Sequence, residues 1–284
     1  MRPFRYLACA SVEEACAALR AHAGRARVLA GGTDLLLELR RGDGPAPEVM
    51  VDISRLEELR GIVAGNGTLR LGPLARHAEL AASEPVRRRA GLLAAAAGAV
   101  GSPQVRNRGT VGGNVMNAAT CADTVPPLVA LGARLTLRSA GGSRELDIAD
   151  FFERPYVTRA RPDELLVAIE FPALPPCARS AFVKLGRRNA LSIARLSVAA
   201  VVDRDASGRI TDARIVPGAA LPVWKRAREA EAMLVGQAPS EALFAAAGRR
   251  TAELMIGETG RRWSSEYKEP VLAVLVRRAL EACC

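Results

Sequence analysis

Two paired-glycine segments constrain this chain more than any other feature. The first is Val28-Leu29-Ala30-Gly31-Gly32-Thr33-Asp34, and the second is Arg106-Asn107-Arg108-Gly109-Thr110-Val111-Gly112-Gly113-Asn114. Each sets glycines beside small hydroxyl or amide side chains, next to an apolar run. Glycine has no Cβ, so its backbone can approach an anion closely and can adopt positive φ. Two such loops in one domain suit the two halves of a diphosphate. Taken singly, a Gly-Gly pair is an ordinary turn. Neither segment is a P-loop, and no Gly-x-Gly-x-x-Gly follows the first strand.

The surrounding pattern places both loops among short elements. Ser11-Val12-Glu13-Glu14 reads as a capping box opening a helix to Ala21, with Val12, Ala15, Cys16 and Leu19 on one face. Arg27–Ala30 reads as a strand, Gly31-Gly32-Thr33 as a turn, and Asp34 as the start of a helix through Leu35, Leu36 and Leu39. That turn lies at a helix N-terminus, where free N–H groups favour an anion. Further strands are expected at 48–53, 133–138 and 165–171, with a hairpin at 62–71 turning on Gly65-Asn66-Gly67. Helices are expected at 77–83, 92–100 and 124–131, the last capped by Asp123. His77 is read as capping or lining its helix, with no catalytic role.

Pro172, Pro175 and Pro176 mark a boundary, predicting domains of 1–175 and 176–284. Beyond it, strands at 181–185, 193–203 and 209–218 precede helices at 225–235, 240–254 and 265–282. Strands followed by helices predict an α+β arrangement, with the helices on one face of a three-stranded antiparallel sheet.

Composition excludes several functions. The formal charge of +10 raises nucleic-acid binding, yet only Lys184, Lys225 and Lys268 among the 40 basic residues are lysine. The arginines are scattered, and aromatics make up only 4%, so no basic stripe interleaved with stacking rings is present. The six cysteines form no Cys-x-x-Cys, and with two histidines they offer no metal or cluster spacing. Two histidines also leave no basis for a Ser-His-Asp site. No apolar run reaches the roughly 18 residues a membrane helix needs, and no signal peptide is visible, so the expected location is cytoplasmic.

Leu29-Ala30-Gly31-Gly32-Thr33-Asp34, Gln104-Val105-Arg106-Asn107, Thr110-Val111-Gly112-Gly113-Asn114 and Ala122-Asp123-Thr124 together resemble the signature of the FAD-binding subunits of molybdenum hydroxylases. That family includes bacterial xanthine dehydrogenase and carbon monoxide dehydrogenase medium subunits. The resemblance extends through Phe182-Val183-Lys184 to the end of the chain. It implies an FAD-binding domain of the vanillyl-alcohol-oxidase/PCMH type, built of two α/β subdomains, followed by a smaller C-terminal domain of antiparallel sheet and helices.

The resemblance also implies roles residue by residue. Arg27, Val28, Leu29, Ala30, Gly31, Gly32, Thr33 and Asp34 correspond to the loop that wraps the FAD diphosphate. Gly109, Thr110, Val111, Gly112, Gly113 and Asn114 correspond to a second cofactor loop. Asp123 matches an acidic cofactor ligand, Leu165 an apolar position near the ring, and Lys184 a basic residue beside the flavin. No catalytic residue and no metal ligand is expected on this chain. Both loops are expected to hold the cofactor alike, so that Gly32→Val and Gly113→Val each abolish flavin retention.

The implied assembly has a molybdopterin-binding large subunit that hydroxylates the substrate and a small subunit carrying [2Fe-2S] clusters. This chain then passes electrons through FAD to NAD or another acceptor. Gly101-Ser102-Pro103-Gln104-Val105-Arg106-Asn107 and the stretch from Arg262 to Arg277 look closest to the xanthine dehydrogenase branch. A carbon monoxide or aldehyde dehydrogenase medium subunit is the alternative within the family. Outside it stands a self-contained FAD-dependent oxidase, which needs a larger second domain than the stretch after Pro175 allows. Trp263 and Tyr267 are candidates for a docking face.

Overall fold

The computed structural model describes residues 3–42, 46–188 and 190–284. Its first unit is a parallel three-stranded sheet of β1 (Arg5–Ala8), β2 (Ala26–Leu29) and β3 (Val49–Asp52), in the order β1-β3-β2. Helix α1 (Val12–Ala21) crosses from β1, and α2 (Leu35–Arg41) follows β2. The Ser11 hydroxyl caps α1 by accepting from the Glu14 N–H at 3.1 Å. The Glu14 carboxylate reaches back one residue further than a standard box, to the Ala10 N–H at 2.7 Å. Val12, Ala15, Cys16 and Leu19 are buried, as the helical spacing requires. Strand β1 was not expected: its side chains are mostly exposed and carry no alternating pattern.

The second unit holds β4 (Ile62–Gly65), β5 (Thr68–Leu71), β6 (Arg134–Ser139) and β7 (Gly142–Asp147). A small hairpin of β8 (Phe152–Arg154) and β9 (Val157–Thr158) precedes β10 (Leu165–Pro172). The main sheet runs β4-β5-β10-β6-β7 and is antiparallel throughout. Asn66 (φ 43°) and Gly67 (φ 78°) turn the β4–β5 hairpin. Both residues of that turn need positive φ, and Asn-Gly supplies them.

Six helices lie between β5 and β6: α3 (His77–Ala82), α4 (Glu84–Arg89), α5 (Gly91–Gly98), α6 (Pro103–Arg106), α7 (Val111–Asn117) and α8 (Val125–Ala130). The second glycine segment therefore runs from the end of α6 into the first turn of α7, which is capped by Thr110. Asp123 does not cap α8, contrary to expectation. That helix begins one residue later, with Thr124 at its N-cap and no side-chain cap bond, and Lys184 takes the Asp123 carboxylate instead.

The third unit is the antiparallel sheet of β11 (Arg179–Leu185), β12 (Leu196–Arg204) and β13 (Ile210–Gly218), followed by α9 (Arg228–Leu234), α10 (Glu241–Thr259) and α11 (Ser265–Glu281). The C-terminal helices pack on one face of the sheet, as expected, and the other face packs on the second unit. Leu196, Val198, Ala200 and Val202 of β12 join the core under the C-terminal helices. Ala199 and Val201 join the core of the second unit, with Leu93, Leu128 and Val129. The period-2 alternation of a strand thus splits one apolar run between two cores. No helix among the described residues is long and apolar enough to cross a membrane.

Candidate functional site

Strand β2 ends at Leu29, and the chain turns through Gly31 and Gly32 into α2. Gly32 has φ of +74°, a region in which an L side chain is disfavoured by about 1–2 kcal/mol. A Cβ at Gly31 would sit 2.2 Å from the Arg108 carbonyl oxygen and 3.0 Å from the Gly109 Cα. The two glycine segments therefore touch, and Gly31 is where they do so. None of the N–H groups of Gly31, Gly32, Thr33 and Asp34 has a protein partner among the described residues. Four consecutive free donors in a loop form a concave anion site.

The second segment is wired differently. Its N–H groups, apart from that of Thr110, are engaged internally: Gly109 to Val105 O, Val111 to Ala75 O, Gly112 to Pro73 O and Asn114 to Thr110 O. Gly113 donates to the Thr110 hydroxyl at 3.0 Å. A Cβ at Gly112 would meet the Pro73 Cβ at 2.4 Å and its carbonyl oxygen at 2.7 Å. These glycines serve close packing and capping, and the loop offers the cavity its surface more than its donors.

Both segments line one cavity of about 580 Å³, within the range of cofactor sites. Fourteen of the seventeen residues singled out from sequence border it: Arg27, Val28, Ala30, Gly31, Gly32, Thr33, Asp34, Gly109, Thr110, Gly112, Gly113, Asn114, Asp123 and Leu165. Leu29, Val111 and Lys184 do not. Leu29 packs its Cδ1 beside Gly32. Val111 is fully buried in the core of the second unit. Lys184 acts at one remove, as its Nζ donates to Asp123 Oδ2 at 2.6 Å and to the Ala99 carbonyl at 2.9 Å.

The electrostatics concentrate on three groups. Burial pushes the Asp123 carboxyl up to about 6, and the Lys184 ammonium opposes this. Its second oxygen, Oδ1, is buried with no partner. Burial also raises Asp34 and holds His77 down at about 4, with Arg106 adding to the effect, so His77 is neutral at pH 7. His77 Nδ1 is likewise buried and unpartnered. At the rim, Glu164 is held below the usual carboxylate range by its hydrogen bonds from Arg144.

Sequence reasoning missed part of the lining. Leu19, Ile53, Leu74 and Met116 supply apolar wall, Cys121 a half-buried thiol, and Leu191, Ser192 and Ile193 an edge from the third unit. Only His77 carried a signal that could have marked it, as one of two histidines in the chain. Among the described residues no cluster of His, Cys, Asp and Glu could hold a metal ion.

The family model described as the FAD binding domain in molybdopterin dehydrogenase matches residues 2–174. That described as the CO dehydrogenase flavoprotein C-terminal domain matches residues 180–283. A xanthine dehydrogenase FAD-binding subunit of Escherichia coli O157:H7 is 36% identical over 209 residues, covering 73% of this chain and 71% of the relative. The 6-hydroxypseudooxynicotine dehydrogenase complex subunit alpha of Paenarthrobacter nicotinovorans is 31% identical over 284 residues, covering 99% and 95%. In structure, a chain of the carbon monoxide dehydrogenase from Hydrogenophaga pseudoflava superposes with a TM-score of 0.93 at 33% identity, covering 100% of this chain and 98% of that one. The chain is an oxidoreductase component and belongs to the family of FAD-binding subunits of molybdenum hydroxylases.

Proposed function

We propose that this chain binds one FAD noncovalently, takes electrons from [2Fe-2S] clusters of a partner subunit, and passes them to NAD or another acceptor. The carrying observation is the run of four free N–H groups at Gly31–Asp34, in a cavity bordered also by Asp123 and His77, two side chains that each carry an orphaned buried polar atom. A flavin dinucleotide fits such a site. Its diphosphate is an acceptor-only anion that suits the free donors, and the cavity of about 580 Å³ is lined from Leu19 of α1 to Leu191 of the third unit.

When bound, the isoalloxazine supplies the redox chemistry, accepting electrons and releasing them to the acceptor. This chain's residues bind and orient it. Gly31, Gly32, Thr33 and Asp34 hold the diphosphate, and the Gly109–Asn114 surface closes the far side of that junction. Leu165 and Leu166 exclude water from the apolar part of the cavity. The Lys184–Asp123 pair fixes a carboxylate whose free oxygen accepts from a cofactor hydroxyl or ring N–H. We place the division between the cofactor domain and the C-terminal domain at 175/176.

The substrate is oxidised on a partner subunit that carries molybdopterin. A purine-like nitrogen heterocycle is favoured, because relatives across the chain are named for xanthine, nicotinate and 6-hydroxypseudooxynicotine. The partner docks where Trp263 is 91% and Tyr267 44% exposed. Beside them Arg195 stacks on Tyr267 at 4.9 Å, and Arg195 and Arg262 lie close enough to Lys268 to depress its ammonium, after burial. The setting is the cytoplasm.

The purified chain should be yellow, release FAD to the supernatant on acid precipitation, and reduce it with artificial donors. It should not oxidise a purine alone, and adding the molybdenum and iron–sulfur subunits should restore that activity. Substrate turnover by the lone chain, or flavin retained in the acid pellet, contradicts this reading.

A further inference from the structure

His77 is a buried polar side chain whose ring has no partner among the described residues. The residue opens α3 and is 3% exposed. Its backbone N–H donates to the Gly109 carbonyl at 3.1 Å, and the adjacent Arg76 bridges Thr110. A Cβ at Gly109 would lie 3.1 Å from the imidazole Cδ2 and 3.4 Å from Nε2. The ring is thus pressed against Gly109, whose other side meets Gly31. His77 and the free N–H groups of the first loop flank one junction and border one cavity.

A ring held there for shape alone should be apolar. Instead the imidazole keeps Nδ1 buried and unpartnered, and Nε2 makes no hydrogen bond among the described residues. Only three buried side-chain polar atoms among the described residues lack partners. Two of them, on His77 and Asp123, belong to side chains that border this cavity, while Arg60 does not. Orphaned buried polar atoms are costly, so their clustering at one cavity marks a polar ligand. A neutral imidazole always has one N–H to give.

We propose that His77 is a positioning residue for the cofactor, giving its ring N–H to a diphosphate oxygen of FAD beside the Gly31–Asp34 donors. This inference rests on the FAD reading above. The diphosphate is the expected acceptor because its oxygens only accept, and because Gly109 couples His77 directly to Gly31.

Binding of FAD, ADP and riboflavin to the flavin-stripped full chain separates this role from packing. His77→Leu should weaken FAD and ADP by about tenfold, the worth of one hydrogen bond to a charged group, and leave riboflavin within about twofold. His77→Gln, which keeps an N–H, should recover most of the loss. Full FAD affinity in His77→Leu overturns the proposal, as does an equal fall for all three ligands. A readout on the unmutated chain covers misfolding of the variants. With only two histidines, His22 and His77, 15N-histidine spectra are simple. FAD and ADP should both shift the His77 ring nitrogens and riboflavin should not, whereas unmoved resonances overturn the proposal. A wild-type chain that binds neither FAD nor ADP overturns the FAD reading itself, and His77 with it.

Discussion

The two paired-glycine loops share a sequence signature and differ in the state of their backbone donors. Gly31–Asp34 leaves four N–H groups free, while Gly109–Asn114, apart from the Thr110 N–H, engages its own with Val105, Ala75, Pro73 and Thr110. On the function proposed above, the first loop is a binding element. The second is a packing element that presses Gly109 and Arg108 against Gly31 and so shapes the first. A Gly-Gly pair therefore marks a place where backbone must come close to something. Whether that is an anion or another piece of the same chain is decided by where the N–H groups go.

The comparison breaks most readily at Gly31. In Gly31→Ala the new Cβ falls 2.2 Å from a carbonyl oxygen, and backbone cannot yield as a flexible side chain does. FAD affinity should fall on the order of a hundredfold, read as flavin content per folded protein. Gly112→Ala should act on the other side of the comparison. Its Cβ meets Pro73, so the apo chain should lose about 1–3 kcal/mol of stability, while the molecules that fold keep their flavin. A chemical denaturation curve paired with a flavin titration checks both halves.

Gly32→Ala introduces a side chain at φ +74° and 3.1 Å from the Leu29 and Leu36 methyls. FAD affinity should drop by about tenfold, and the apo chain should lose about 1–2 kcal/mol of stability to the strained φ. Gly113 sits at the mild end. Its Cβ meets only the Thr110 hydroxyl, at 2.9 Å, so Gly113→Ala should cost no more than the lost cap, about 1 kcal/mol of stability, with flavin retained. The expectation that Gly32 and Gly113 matter equally to flavin is thereby sharpened into a contrast.

A pH effect separates the site from the scaffold. Burial holds the folded Asp123 carboxyl up at about 6, above its ordinary value of 3.8. Between these values the folded state binds more protons than the unfolded one, so stability rises as pH falls through that window. The melting temperature of the apo wild type relative to Asp123→Asn should thus climb as pH falls from about 6 toward 4. A flat difference would show that Lys184 fully offsets the burial of Asp123.

Much of the fold was legible because local signals and tertiary packing agree. Ser11 caps α1, Asn66-Gly67 turns a hairpin, and the apolar face Val12, Ala15, Cys16 and Leu19 is buried. The glycine segments and Asp123 were legible as site residues through their resemblance to a family. What stayed hidden depends on partners remote in sequence. Nothing near Gly112 announces that Pro73 takes its N–H, and nothing near Asp123 announces Lys184, which lies 61 residues away. Strands β1 and β7 escaped because their side chains are largely exposed and lack an apolar face. The alternation in β12 was visible only as an apolar run, since both faces of that strand are buried. His77 was placed on a helix, yet its value comes from Gly109 and the cavity.

Amide hydrogen exchange of the full chain, with and without saturating FAD, tests most directly whether the first loop does the holding. FAD should strongly slow exchange at Gly31–Asp34, whose N–H groups are free in the apo chain. The amides of Val111–Asn114, already bonded within the protein, should change little. Equal protection of both loops, or none at Gly31–Asp34, would contradict that holding role.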